Sequence, residues 1–178
     1  AVIGGGNTAV DCARTAKRLG SESVKLFYRR TRDEMPAADE EVEALIHEGI
    51  EIQFLTAPVR FEGQNGKLSH MVCVKMELGE SDSSGRRRPI PINDSEYSVP
   101  VDMVITAIGQ SALISFIEET GLALSKQNTV EVNPDTGSTN IEGVFAGGDV
   151  TTGPAYVVDA IAAGQRAAKS ISCFLKGD

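Results

Sequence analysis

Hydrophobic positions change their period several times along this chain, and each change predicts an element. Ala1–Ile3 are apolar without a break, as at the end of a buried strand, and a glycine run follows at Gly4–Gly6. Ala9, Ala13 and Ala16 then recur at helical spacing while Asp11, Arg14, Lys17 and Arg18 fall on the other side, which predicts an amphipathic helix to about Leu19. Ser23–Tyr28 reads as the next strand. Pro36, an acid-rich turn at Asp39–Glu41 and Glu43, and Val42, Leu45 and Ile46 predict a second helix stopped by Gly49. A strand at Ile50–Leu55 leads to two extended runs joined by Asn65-Gly66, the strongest short hairpin signal. Cys73 alternates with Met71 and Lys75 in this hairpin and is expected to pack inside. A polar loop is predicted for Gly79–Glu96, then one apolar strand, Tyr97–Gln110, ending in the Gly109-Gln110 turn. The last third predicts a short strand at Val144–Ala146, a Gly147-Gly148-Asp149 turn and a helix from Pro154, where a missing N–H is harmless. Val157, Ile161, Gly164, Ala168, Ile171 and Leu175 follow at spacings of four and three, so that side of the helix is expected to be buried.

Composition narrows the function classes. With 178 residues and 41% hydrophobic content, the chain can bury a core in one domain or two small ones. A net charge of -8 argues against nucleic acid or an anionic membrane surface as the main partner, and makes local basic clusters more informative. Cys12, Cys73 and Cys173 are scattered and odd in number, without the C-x-x-C pair of a metal, cluster or redox disulfide site, so a reducing, cytoplasmic setting is expected. His47 and His70 lack metal-ligand spacing. No apolar run approaches the roughly 20 residues of a membrane helix. Natural chains rarely start inside a strand, so the sequence reads as a C-terminal portion of a longer protein.

The chemistry concentrates at the glycine turns. Gly4-Gly5-Gly6-Asn7-Thr8-Ala9 fits G-x-G-x-x-A after a strand and before a helix. Gly4 permits the tight turn, Gly6 lets a pyrophosphate approach the backbone, and Ala9 lets the helix pack on its strand. The helix amides and dipole then favour negative charge. An acidic ribose ligand is normally expected about 20 residues further on. Arg29 and Arg30 stand there instead, and planar, permanently charged donors suit a 2′-phosphate, which favours NADP(H) over NAD(H). Two bland alternatives stay open: a ligand-free glycine turn, and "RRTRDE" as a solvated, self-paired charge run. Arg86–Arg88 could dock an acidic protein or a cofactor, but an exposed basic loop is the reading preferred here. Asp149 after Gly148 is either an acceptor for sugar hydroxyls or a loop acid satisfying local amides.

Together, "VIGGGNTAVDCARTAKRLG", "YRRTRDEMPA", "AIGQ" and "STNIEGVFAGGDVTTGPAYVVDAIAAGQRAA" resemble the FAD/NAD(P)-dependent pyridine nucleotide-disulfide oxidoreductase superfamily, and within it the NADPH-dependent glutamate synthase small (beta) subunit and its relatives. The resemblance implies an α/β fold: a Rossmann-like NADPH-binding domain at 1–109 with an inserted β-hairpin or meander, and at 110–178 the C-terminal strand-helix part of an FAD-binding domain. It implies that Gly4, Gly5, Gly6, Asn7, Thr8 and Ala9 cradle the NADPH pyrophosphate, and that Arg29 and Arg30 hold its 2′-phosphate. Ala107, Gly109 and Gln110 would line the crossing between the nucleotide domains. Gly148 and Asp149 would bind the FAD ribityl and pyrophosphate region, with Ala155 and Tyr156 near the flavin. In such proteins NADPH reduces FAD, and electrons pass through iron–sulfur clusters to the glutamate synthase large subunit. The FAD site is expected to be incomplete here, the clusters to lie in other parts of the full protein, and the 178 residues alone to be inactive. The apolar face of the last helix should seek cover, a homodimer being one outcome. Two other readings stay open: an NADPH-dependent flavoenzyme reducing ferredoxin or a pyrimidine-reducing partner, and a non-catalytic nucleotide-binding module. No residue is singled out as a general acid or base.

Overall fold

The computed structural model describes residues 1–81, 85–115, 117 and 119–177. It divides into two compact units, Ala1–Gly109 and Gln110–Asp178. The first unit starts with β1 (Val2–Ile3), α1 (Asn7–Arg18), β2 (Lys25–Phe27), a 3-10 turn at Arg32–Glu34, α2 (Asp39–His47) and β3 (Glu51–Gln53). These strands and β8 (Ile105–Thr106) form a parallel sheet in the order β3-β2-β1-β8. Parallel neighbours require crossovers: α1 supplies that from β1 to β2, α2 that from β2 to β3, and an antiparallel sheet lies in the connection from β3 to β8.

Alternation along the two inner strands decides what covers each face of that sheet. Val2 and Leu26 point to the helical side, where they pack with Ala9, Val10 and Ala13 of α1 and Val42 and Leu45 of α2. Ile3 and Phe27 point the other way, onto Met71, Cys73, Tyr97 and Val99 of a second, antiparallel sheet. That sheet is built from β4 (Thr56–Gln64), β5 (Lys67–Ser81), β6 (Arg87–Pro91) and β7 (Tyr97–Pro100), with β5 pairing all three others. Gln64 pairs with Lys67, leaving Asn65 and Gly66 as a two-residue turn with φ of 52° and 74°, the primed geometry that Asn-Gly favours. Cys73 is fully buried, and burial pushes its thiol up to about 11.

Two expectations for this unit need correction. The polar loop predicted at Gly79–Glu96 is partly sheet: β5 runs to Ser81, and β6 pairs back on it with Leu78 opposite Pro89 and Met76 opposite Pro91. Its composition misleads because an edge strand tolerates proline and keeps its charges in water. Residues 82–84 of that loop lie outside the described residues. The single strand predicted at Tyr97–Gln110 is two strands in different sheets: Tyr97–Pro100 pairs antiparallel with β5, and Ile105–Thr106 pairs parallel with β1. The helix predicted from Val42, Leu45 and Ile46 forms as α2, with Val42 and Leu45 on its inward side and Ile46 56% exposed.

The second unit has α3 (Asp149–Thr152) and α4 (Val157–Lys176), with isolated bridges at Leu124–Val130 and Ser138–Phe145. The strand expected at Val144–Ala146 is thus reduced to one bridge, and the helix expected from Pro154 starts at Val157. Ile114, Ile117 and Val130 form a small core. The inward face of α4 is not the expected one: Val157, Ile161 and Leu175 are exposed, whereas Ala163 is buried. Glycine turns dictate this. A Cβ on Gly137 would stand 3.3 Å from the Ala167 methyl, and one on Gly147 3.1 Å from that of Ala163, so only methyls fit between helix and turns. Phe174 closes the far end, edge-on to Phe145 at 6.0 Å between ring centroids. Among the described residues no helix is long and apolar enough to cross a membrane.

Ion pairs tie α1 to α2. Arg14 donates from Nη1 to Glu41 at 2.6 Å and from Nε to Glu48 at 3.0 Å, and Arg18 reaches Glu48 at 2.5 Å. The hydrogen bond from Arg18, then that from Arg14, hold the Glu48 carboxyl below the usual value of 4.5. A depressed carboxyl contributes stability that is present above 4.5 and lost as pH falls through the folded value. Denaturant midpoints should therefore drop less on acidification below 4.5 in Glu48→Gln than in the parent, and equal drops would show that the pair contributes nothing.

Candidate functional site

The end of β1 is shaped by backbone crowding. Gly4 sits at φ +149, and its amide donates to the Phe27 carbonyl at 3.1 Å. A Cβ here would overlap the carbonyl oxygen of Ala107, so only glycine lets the turn press against the end of β8. Gly5 meets the Tyr28 ring in the same way, and its carbonyl accepts from the Ala37 amide at 3.0 Å. Gly6 differs, with nothing within 4 Å of where a Cβ would stand. It is the N-cap of α1, whose first turn has neither a side-chain cap nor an acidic residue. Uncapped amides at a helix start are ready donors for an anion.

A cavity of about 650 Å³ opens over this turn. Gly4, Gly5, Gly6 and Thr8 form one wall, and Ala107, Ile108 and Gly109 another. Arg29, Arg30 and Arg86 supply its charge, and no Asp or Glu is among its described lining residues. In a chain with 25 acidic and 17 basic residues, this selects for an anion.

The arginines are not equivalent. Arg29 is exposed at the end of β2, whereas Arg30 is buried at 4% exposure and donates from Nε to the Arg87 carbonyl at 2.7 Å. Arg87 in turn donates from Nε to Glu34 at 2.6 Å. Glu34 also accepts from the hydroxyl of Thr31 at 2.5 Å and its amide at 3.2 Å, closing a capping box on the 3-10 turn. The Thr31 hydrogen bond, with that from Arg87, holds the Glu34 carboxyl below the usual carboxylate value.

Of the residues singled out from sequence, Gly4, Gly5, Gly6, Thr8, Arg29, Arg30, Ala107 and Gly109 meet at this cavity. Three others do not line it. Ala9 lies fully buried beneath the turn, Asn7 spends its Oδ1 on the Ala38 amide at 2.9 Å, and Gln110 is exposed at the start of the second unit. Gly148, Asp149, Ala155 and Tyr156 line a hollow in the second unit, beside the start of α4. Gly148 takes φ +78 there, and its carbonyl accepts from the Thr151 hydroxyl at 2.8 Å. Arg86, whose run of three arginines reads in sequence as loop charge or as a contact to an acidic protein or cofactor, also lines the cavity over Gly4–Gly6, and its place depends on the pairing of β6 with β5.

A family model for pyridine nucleotide-disulphide oxidoreductase matches residues 1–164. The chain is 47% identical over 176 residues to the NADP(+)-dependent formate dehydrogenase subunit beta of Moorella thermoacetica, covering 99% of this chain and 25% of that one. It is 40% identical over 177 residues to the glutamate synthase [NADPH] small chain of Azospirillum brasilense, covering 98% and 36%. It therefore spans between a quarter and about a third of the length of these curated relatives. In fold it is similar to Lactococcus lactis thioredoxin reductase, with a TM-score of 0.79 at 22% identity over 99% of this chain and 52% of that one.

The two neighbouring glycines should respond oppositely to one methyl group. Gly5→Ala collides with Tyr28 and is expected to lower the thermal midpoint. Gly6→Ala should leave that midpoint unchanged while weakening binding of a pyrophosphate ligand about tenfold, as read by calorimetry.

Proposed function

The chain belongs to the pyridine nucleotide-disulphide oxidoreductase family, and on that footing we propose that its first unit binds NADPH as the electron-input module of a flavin oxidoreductase. The observation that carries this reading is the cavity over Gly4–Gly6, lined by arginines at the ribose end and, among the described residues, by no acid. The pyrophosphate would lie against the Gly6 turn and the start of α1, and the exposed Arg29 would face the 2′-phosphate. Gly109 and Ala107, at the end of β8, would border the nicotinamide half. The protein's task is then to position and enclose the nucleotide, since hydride transfer is chemistry that nicotinamide and flavin supply.

The second unit fits the role of an FAD contact. Gly148 holds a turn that a side chain would strain, and the exposed Asp149 carboxylate can accept from sugar hydroxyls. Ala155 and Tyr156, just before α4, border the same hollow. These relatives are about three to four times as long, so the complete electron path, with iron–sulfur clusters and a partner subunit, is assigned to the longer assembly. Nucleotide binding rather than turnover is the property expected of these 178 residues.

The acceptor has two readings. One is the large subunit of a glutamate synthase, as the similarity to an NADPH glutamate synthase small chain suggests. The other is a different acceptor, favoured by the higher identity to a formate dehydrogenase subunit. The NADPH module is common to both.

Parallel calorimetric titrations with NADP⁺ and NAD⁺ test the module. NADP⁺ should bind at least about tenfold more tightly, and Arg29→Ala should remove about 1.4 kcal/mol or more of that preference. Equal affinities, or no binding of either nucleotide, would sink this assignment.

A further inference from the structure

We propose that Arg86, carried to the cavity by the inserted antiparallel sheet, is a specificity-determining contact to the ribose 2′-phosphate alongside Arg29, and that Arg30, Arg87 and Glu34 are positioning residues that hold it there. The proposal rests on the NADPH reading and adds to it an element from a different part of the chain.

A phosphate monoester carries about −1.5 to −2 charge at pH 7 and three acceptor oxygens, more than one guanidinium satisfies. The sequence supplies two arginines at the end of β2, but the structure divides their work. Arg30 is buried, and its Nε is committed to the Arg87 carbonyl. Arg29 is exposed at the same cavity as Arg86. Arg86 comes from a segment 57 positions beyond Arg29, so its presence there needs a cause.

Three ties on its neighbour supply that cause. The β5–β6 ladder pairs Arg87 with Ser81. The Arg87 carbonyl receives Arg30, and the Arg87 guanidinium is held by Glu34, a carboxylate with only 7% of its side chain exposed. Glu34 is itself fixed by Thr31 immediately after the two arginines. The end of β2 thus grips the backbone of the inserted sheet one residue from Arg86. Arg88, two residues further on, is exposed and does not line the cavity, which makes it the internal control for simple loop charge.

The test is calorimetry on the whole 178-residue chain with adenosine 2′,5′-bisphosphate and 5′-AMP, which differ only in the 2′-phosphate. Arg86→Ala should weaken the bisphosphate about tenfold and leave 5′-AMP unchanged, Arg86→Lys should restore part of the loss, and Arg88→Ala should do nothing. Glu34→Gln should weaken the bisphosphate selectively, and should add little when combined with Arg86→Ala, because both act through one contact. Unchanged 5′-AMP affinity confirms that each variant is folded, since Glu34→Gln also weakens the hydrogen bonds from Thr31 and Arg87 and is expected to lower the thermal midpoint. If the parent discriminates and Arg29→Ala abolishes the discrimination while Arg86→Ala does not, the NADPH reading stands and this proposal fails. An equal loss in Arg88→Ala also overturns it, by showing diffuse charge. If the parent does not prefer the bisphosphate, the NADPH reading fails first and this proposal falls with it.

Discussion

A residue without a Cβ at position 4 sets the geometry of the first unit. Because the Gly4 turn presses directly on the Ala107 carbonyl, the ends of β1 and β8 close against each other with no side chain between them. The start of α1, the Ala107–Gly109 turn and the end of β2 are thereby brought to one edge of the parallel sheet. The chain leaves β1 toward β2 on one side, and β8 returns on the other. A crevice outside the carboxyl ends of strands, where the strand order reverses, is where open α/β sheets bind ligands. The cavity lies there, with the backbone of Gly4–Gly6 in its lining beside the arginine side chains.

The same short strands impose a second constraint. Val2 and Leu26 serve a helical core while Ile3 and Phe27 serve the inserted sheet, so a strand of two or three residues is buried on both faces. Parallel sheets are rarely stable with a face in water. The inserted sheet is therefore part of the core as well as a carrier of Arg86, and its Met71 and Cys73 are among the best-buried side chains of the protein.

Elements governed by local chemistry were legible in the sequence. The alanine stripe of α1, the Gly49 stop of α2 and the Asn65-Gly66 turn each depend on residues within a few positions of one another. Misreadings occur where distant contacts decide. Ser81 to Pro91 looks like a solvated loop because nothing local tells an edge strand from one. The buried face of α4 was misassigned because Val157, Ile161 and Leu175 outrank alanine in hydrophobicity, whereas Gly137 and Gly147 demand small partners. Spacing alone places the glycine turn and Arg29 at neighbouring strand ends, but the different employment of Arg30 and the position of Arg86 depend on a backbone contact 57 residues away.

The insertion also bears on how such a cavity can be elaborated over evolutionary time. Residues 56–100 make up most of the connection between β3 and β8, lengthening it about eightfold, but loop-closure entropy grows only with the logarithm of length, so the penalty is about 2 kcal/mol. The added strands bury their own apolar face on Ile3 and Phe27, which offsets that penalty many times over. A lineage can therefore graft a whole sheet between β3 and β8, and vary the loop at its far edge, while the turn at Gly4–Gly6 stays untouched. The turn at Gly4–Gly6 and the sheet that carries Arg86 to the same cavity are thus supplied by separate stretches of the chain.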